Sequence, residues 1–409
     1  MNSKPPKFFL VFLAALIAIG PFAMDAYLPA MPAMALDLGV DVVVLNYTIS
    51  WFLLGNAIGQ LVGGPASDQL GRKPLALAGL ICFLLTTIGI LLSGSIQQIQ
   101  GLRFLQAVGA GLGSVVALAA LRDVYEPRVA ARKLPIVISV MMLAPLVAPT
   151  IGSLLLMFHW RLIFVVLCAY AALVLLWYLL WVPESRSGPR ERLSPSDWFA
   201  KYLRVLRHRH KGRLTAVRYV LATAFSAGVM MVFITHSAFT YIEYLQISPA
   251  MFPAYFGANV VALMLANLSS TRLMQYHDPQ FLFRLGTRLQ VVLTFCLLVI
   301  VLLGRASIVT VVPLVVLSIG IGGLINPCGS AMLFAHFQRL TGSVSAVSAS
   351  MMFIAGGFLG GVAGWFWDTT LFPVALMMFI SAGLGSLLAH TIPPATLEEL
   401  AQSPVENGL

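Results

Sequence analysis

Apolar stretches recur from one end of the chain to the other, with short polar breaks between them. They lie at about 8–30, 43–66, 75–94, 98–120, 134–157 and 161–183, then at 215–243, 251–274, 285–304, 308–332, 342–367 and 370–392. An α-helix needs about 20 apolar residues to cross the hydrocarbon layer of a bilayer. Open sheets leave unpaired backbone groups in lipid, and these runs are too long and too evenly apolar for barrel strands. The pattern predicts an all-α polytopic membrane protein with twelve helices, six on each side of the polar segment Glu184–Arg213. The expected organisation is a six-helix bundle over 1–183, a linker over 184–214, a second bundle over 215–393 and a tail over 394–409. Lys4 and Lys7 precede the uncharged stretch Phe8–Met24, as in a secretory leader. The stretch is too long for a leader core and runs into further spans, so a retained anchor helix is expected.

Composition sharpens this. The 409 residues are 59% hydrophobic and 10% charged, whereas a soluble domain carries about a quarter charged residues. That excludes a soluble enzyme, a disordered scaffold and a nucleic-acid binder. The net charge of +10 is a topology signal. Of 25 Lys and Arg, 22 fall in the gaps on one side of the predicted spans or within a few residues of them, nine of them between Arg186 and Arg213. Arg161 and Arg305 fall on the other side, and Arg103 lies within a span. By the positive-inside rule, both termini and the linker face the cytoplasm.

Within the linker, Ser194-Pro195-Ser196-Asp197 reads as a helix start with Ser194 as cap. Trp198, Phe199, Tyr202, Leu203 and Leu206 then share one face, which predicts an amphipathic helix on the inner leaflet. Cys82, Cys168, Cys296 and Cys328 lie in apolar runs without metal-ligand spacing, so neither disulfides nor a metal site is expected.

Charges inside hydrocarbon are costly and are kept mainly where they act. Asp25 falls in the outer half of the first span and Arg103 near the outer start of the fourth. Asp25 is the candidate proton carrier and Arg103 its coupling partner. The rival structural readings make Asp25 the cap of a kink at Gly20-Pro21 and Pro29, and let Arg103 snorkel outward. The segment from Gly64 to Lys73, with Asp68, Gly71 and Arg72, reads as a tight turn between the second and third spans. There Asp68 faces the positive end of a helix starting near Gly342, and Arg72 pairs with Asp123. The 17 methionines and 11% aromatics offer a polarizable cavity lining. Cavity candidates are Tyr27, Tyr47, Trp51, Asn56, His236, Asn259 and Asn326. His236 either joins a proton relay or bonds a neighbouring helix. No P-loop, Ser-His-Asp or H-E-x-x-H pattern is present, so neither ATP-driven pumping nor an enzyme is expected.

Gly64 to Lys73 resembles the loop G-x-x-x-D-x-x-G-R-K of the major facilitator superfamily, and Arg103 to Gly109 resembles its fourth-span motif R-x-x-Q-G. Asp25-Ala26-Tyr27-Leu28-Pro29 resembles the first-span D-x-Y-L-P of the Bcr/CflA drug–proton antiporters. Leu143 to Gly152, with Pro145 and Pro149, resembles their antiporter motif. The chain departs from these patterns at Gln69, Ala107, Ala148 and Ser153, and in the second half only Asp278 and Arg284 echo the loop.

The resemblance implies two pseudo-symmetric six-helix bundles and proton-driven export of small amphipathic drugs or related metabolites across a bacterial inner membrane. Asp25 would carry the proton with Arg103 as partner. Gly64, Asp68, Gly71, Arg72, Lys73 and Asp123 would form the gate, and Pro145, Pro149 and Gly152 the antiporter helix. No cofactor is expected, since the proton gradient supplies the energy. The expected partners are a small-molecule substrate, protons and the lipid bilayer, with no nucleic acid, and a monomer is expected. The alternatives are a dedicated exporter of one endogenous metabolite and, from another class, a membrane-embedded enzyme or receptor.

Overall fold

The computed structural model describes residues 8–185, 195–210, 212–337, 341–366 and 369–394. The proposed cap Ser194, the basic pair Lys4 and Lys7, and the tail beyond Pro394 lie outside the described residues. The helices are α1 (Phe9–Asp25), α2 (Met31–Leu38), α3 (Val42–Leu70), α4 (Arg72–Leu92), α5 (Ile96–Val124), α6 (Pro127–Leu156) and α7 (Arg161–Trp181), followed by α8 (Pro195–Leu206). The second half holds α9 (Ala216–Ala238), α10 (Phe252–Leu273), α11 (Pro279–Leu302), α12 (Ile308–Gly320), α13 (Gly322–Ala335), α14 (Thr341–Trp365) and α15 (Phe372–Thr391). Among the described residues, twelve helical spans are long and apolar enough to cross a membrane. Residues such as Leu173, Leu180, Leu265, Leu268 and Phe358 turn more than half their surface outward on those spans. A multi-pass membrane protein leaves such surface for lipid.

Several boundaries differ from the expected ones for local reasons. The first span runs to Leu38, past the expected end at 30. It breaks after Asp25, because Pro29 and Pro32 sit in the opening turns of the short 3₁₀ helix Leu28–Ala30 and of α2. A proline fits a first turn, where its missing N–H has no partner to lose, whereas further in it costs a backbone hydrogen bond, as Pro21 does in α1 and Pro65 in α3. The expected loop Gly64–Lys73 is nearly all helix. α3 carries on through Gly64, Pro65 and Asp68, α4 begins at Arg72, and only Gly71 intervenes. Gly71 takes φ 104°, which a side chain disfavours. The tenth span is interrupted at Ile321 between α12 and α13. A π-helical stretch, Phe239–Tyr244, extends α9.

The chain divides into two compact units. The first comprises Met1–Ser194 with Gln246–Pro253, the second Pro195–Leu245 with Ala254–Leu409. In the first, α3 packs along α5, α1 along α6 and α4 along α7. Asp37 ties the end of α2 to the start of α7, accepting from Trp160 Nε1 at 2.9 Å and pairing with Arg161 at 2.8 Å. In the second, α9 packs along α14 and α15, and α11 along α13 and α15. The linker helix α8 groups with this unit. Val205 is fully buried against a core that includes Tyr219, Phe283, Met332 and Val344, with Tyr202 and Leu206 packed at its edge. The amphipathic face expected to lie on lipid therefore docks, through its last turns, on protein. A two-residue hairpin follows, pairing Arg209–His210 with Arg213–Leu214. All four cysteines are free.

Candidate functional site

Asp25 is the last residue of α1, at the break before the 3₁₀ turn, and is fully buried inside the first unit. Neither carboxyl oxygen has a hydrogen-bond partner among the described residues. It caps no kink. Leaving a buried carboxylate without a donor is among the costlier arrangements a fold can hold, more so in lipid.

Arg103, on α5, is also fully buried and does not snorkel. Its guanidinium carbon lies 4.3 Å from the ring centroids of both Tyr27 and Phe52. Nη1 donates to the Ala23 carbonyl at 3.1 Å and to Gln106 Oε1 at 2.6 Å, and Gln106 Nε2 donates onward to Thr87 Oγ1 at 2.6 Å. Among the described residues, Nε and Nη2 have no hydrogen-bond partner. The Ala23 contact places the cation two residues from Asp25 along the chain. Tyr27, expected as cavity lining, is instead buried between Arg103 and Thr48, whose hydroxyl lies 2.8 Å from its own.

The turn between α3 and α4 gathers its charges around Arg72. Nε donates to Asp123 Oδ2 at 2.7 Å, Nη1 pairs with Asp68 Oδ1 at 2.9 Å, and Nη1 also contacts Ser67 Oγ. Arg72 and Asp123 thus meet as expected, and Asp68 pairs with Arg72 across the one-residue break between α3 and α4. Glu184, read from sequence as the first linker residue, accepts from the Arg72 amide at 2.9 Å and the Lys73 amide at 3.1 Å. A carboxylate there satisfies orphan donors at the positive end of α4. Lys73 Nζ reaches the Leu179 carbonyl at 3.2 Å. A Cβ on Gly71 would stand 2.6 Å from Glu184 Oε2, so glycine also makes room for this cap.

The antiporter-like helix is α6. Pro149 and Gly152 are buried and Pro145 half-buried. At Gly152 a Cβ would fall 1.7 Å from the Ala26 carbonyl oxygen, so this position brings α6 onto the residue after Asp25. Ala148 is fully buried, so packing at that departure from the motif is tight.

The remaining cavity candidates are divided between the two units. In the first unit Asn56 is buried and accepts from Gln60 at 2.6 Å. Tyr47 is half-buried, and Trp51 is 44% exposed with its ring edge against Phe104. In the second unit His236 is fully buried, with Nε2 3.0 Å from the Gly360 carbonyl on α14. Asn259 donates to the Tyr255 carbonyl at 3.1 Å and lies 3.3 Å from the Tyr241 hydroxyl. Asn326 is half-buried, with no partner for Oδ1 among the described residues. Sequence reasoning missed Phe52, Thr87, Gln106 and Glu184. The Gln of the R-x-x-Q-G motif was visible. Phe52 and Thr87 lie in unremarkable apolar runs, and only helix packing reveals their partners.

The model of the Major Facilitator Superfamily matches residues 11–361. An uncharacterised MFS-type transporter, YdgK, of Bacillus subtilis strain 168 is 28% identical over 382 residues, 92% of this chain and 94% of that protein. A bicyclomycin resistance protein homolog of Haemophilus influenzae is 26% identical over 364 residues, 88% of this chain and 90% of that protein. Among solved structures, a D-xylose-proton symporter superposes with a TM-score of 0.71 at 14% identity, covering 94% of this chain and 97% of that one. At that identity the likeness is one of fold.

Proposed function

The chain belongs to the major facilitator superfamily and is a membrane transporter, not an enzyme; from that premise we propose that it is a proton-coupled antiporter exporting small amphipathic molecules, drugs among them. It works as a monomer in a bacterial inner membrane, with both termini in the cytoplasm and the proton gradient as its energy source. The observation that carries this reading is Asp25, fully buried with both oxygens unpartnered, beside a buried Arg103. The neutral acid is tolerable in such a site and the bare carboxylate is not, so each exposure to water on one side invites release and each closure requires a proton. Substrate and proton then compete for overlapping states, and inward proton flow drives outward export. Resistance in the name of the Haemophilus relative supports drugs as the substrate class. The Arg72, Asp68 and Asp123 cluster acts as a latch made in one state and broken in another.

The test is export from proteoliposomes under an imposed pH gradient, with ethidium as probe. Asp25→Asn abolishes gradient-driven export while ethidium binding persists. Unchanged export by that variant would remove Asp25 from the mechanism. Competition by chemically unrelated drugs is expected, and response to a single compound would narrow the substrate class to one metabolite.

A further inference from the structure

Once ionised, Asp25 would attract the buried Arg103 strongly, since little water would screen the two charges. Asp25 and Arg103 nevertheless form no ion pair, and both carboxyl oxygens stay unpartnered. Something holds the guanidinium off. Its Cζ lies over both the Tyr27 and the Phe52 ring, 4.3 Å from each centroid. One edge is tethered to Ala23 and to Gln106, which is itself held by Thr87. The Tyr27 ring is fixed in turn by the 2.8 Å contact of its hydroxyl with Thr48. Phe52 and Thr48 sit one turn apart on α3 and Tyr27 just beyond the end of α1, so two elements close on a cation carried by a third. Arginine sandwiched in this way gains cation–π energy that a desolvated site enlarges.

We propose that Tyr27 and Phe52 are positioning residues for proton coupling: the ring sandwich keeps Arg103 near Asp25 without letting it become the fixed counter-ion. The inference rests on the reading of Asp25 as the proton carrier. An unpaired carboxyl exchanges its proton when water reaches it. One locked in a bidentate pair with arginine gives up exchange for a permanent salt bridge. Without one ring face the guanidinium tilts toward the carboxylate, and protonation then demands stronger acid.

The experiment follows the carboxylic acid C=O infrared band of the full-length protein in lipid as pH is varied. The band belonging to Asp25 is the one lost in Asp25→Asn. In Phe52→Leu its titration midpoint moves to lower pH, by roughly one unit or more if a close ion pair forms. Phe52→Tyr, which keeps the aromatic face, restores the original midpoint. Thr48→Val, a smaller change that frees Tyr27, shifts it the same way by less, and decides the matter if Phe52→Leu fails to fold. An unchanged midpoint in the folded variants, or equal shifts in Phe52→Leu and Phe52→Tyr, would overturn the proposal. If Asp25→Asn loses no band or still couples export to protons, the reading of Asp25 itself fails. If Asp25→Asn uncouples export and Phe52→Leu shifts nothing, only the sandwich fails.

Discussion

Glu184 closes the first turn of α4 from 112 residues away, with one carboxylate oxygen on the amide of Arg72 and the other on that of Lys73. The same contact fixes the end of α7 to the turn that carries the charged cluster. Helix N-termini favour a carboxylate acceptor, and removing such a cap costs about 1 kcal/mol. Glu184→Ala is expected to lower the detergent unfolding midpoint and speed hydrogen exchange at the amides of Arg72 and Lys73. Exchange protection at the opposite end of α4 stays unchanged.

Arg72 spreads one guanidinium over three acceptors, the side chains of Ser67, Asp68 and Asp123. Lysine has no planar fork and cannot reach all three at once, so Arg72→Lys is not conservative here. The Asp123 arm is the better shielded, with 26% of that side chain exposed against 46% for Asp68. Asp123→Asn is therefore expected to destabilise more than Asp68→Asn. A charge-assisted hydrogen bond of this kind contributes about 1.5–3 kcal/mol, and the exposed pair under about 1 kcal/mol. Urea or thermal unfolding of the two single variants checks the order. If the two carboxylates prove equivalent, the difference in burial carries no energetic weight.

Gly152 and Gly101 make a matched pair for testing helix approach. A Cβ at Gly152 would overlap the Ala26 carbonyl, while one at Gly101 meets nothing within 4 Å. Gly152→Ala must push α6 away from the turn holding Asp25, with an overpacking cost of roughly 1–3 kcal/mol and loss of transport in proteoliposomes. Gly101→Ala should be neutral or slightly stabilising, because alanine favours a helix by up to about 1 kcal/mol over glycine. Retained transport by Gly152→Ala would mean that α6 relaxes without disturbing the site.

The twelve spans were legible because apolar runs of this length have one stable form in lipid, and charge asymmetry orders the gaps between them. Asp25 and Arg103 were legible because a charge in an apolar run stands out, and Arg72 because it sits in a short charged turn between two such runs. Phe52 does not, since a phenylalanine amid leucines looks the same whether it faces lipid or a guanidinium. Glu184 was invisible for a different reason. Its partners are distant in sequence, and its neighbours read as the start of a polar linker. Tyr27 was read as cavity lining, and the structure buries it against Arg103 and Thr48, next to the first-span break at Pro29 and Pro32. The loop Gly64–Lys73 shrank to one residue because Gly71 alone supplies the backbone turn.

At the end of α13, three histidines from two elements meet. The His336 ring lies 5.4 Å from that of His208 and 5.3 Å from that of His210, with Tyr219 at 6.1 Å. Burial, reinforced by the two neighbouring imidazoles, pushes His336 down to about 4 from an ordinary value of 6.5. Well above pH 6.5 the ring is uncharged in both folded and unfolded chains and contributes no pH dependence. As pH falls below 6.5 the unfolded chain takes up a proton that the folded one refuses, so the folded state loses stability until about pH 4, where both are protonated. The slope is a fraction of the ~1.4 kcal/mol per pH unit that one proton can supply, because the ring is only half-buried. His336→Phe keeps an aromatic ring in place and removes the titration. Its unfolding midpoint is expected to fall less than that of the parent protein between pH 7 and pH 5, measured as thermal unfolding in the same detergent. The loss should concentrate where the linker hairpin docks, visible as faster hydrogen exchange at Thr215, whose amide bonds the His208 carbonyl at 3.2 Å. Identical pH profiles for the two proteins would show that His336 takes up its proton in the folded state as readily as in the unfolded one.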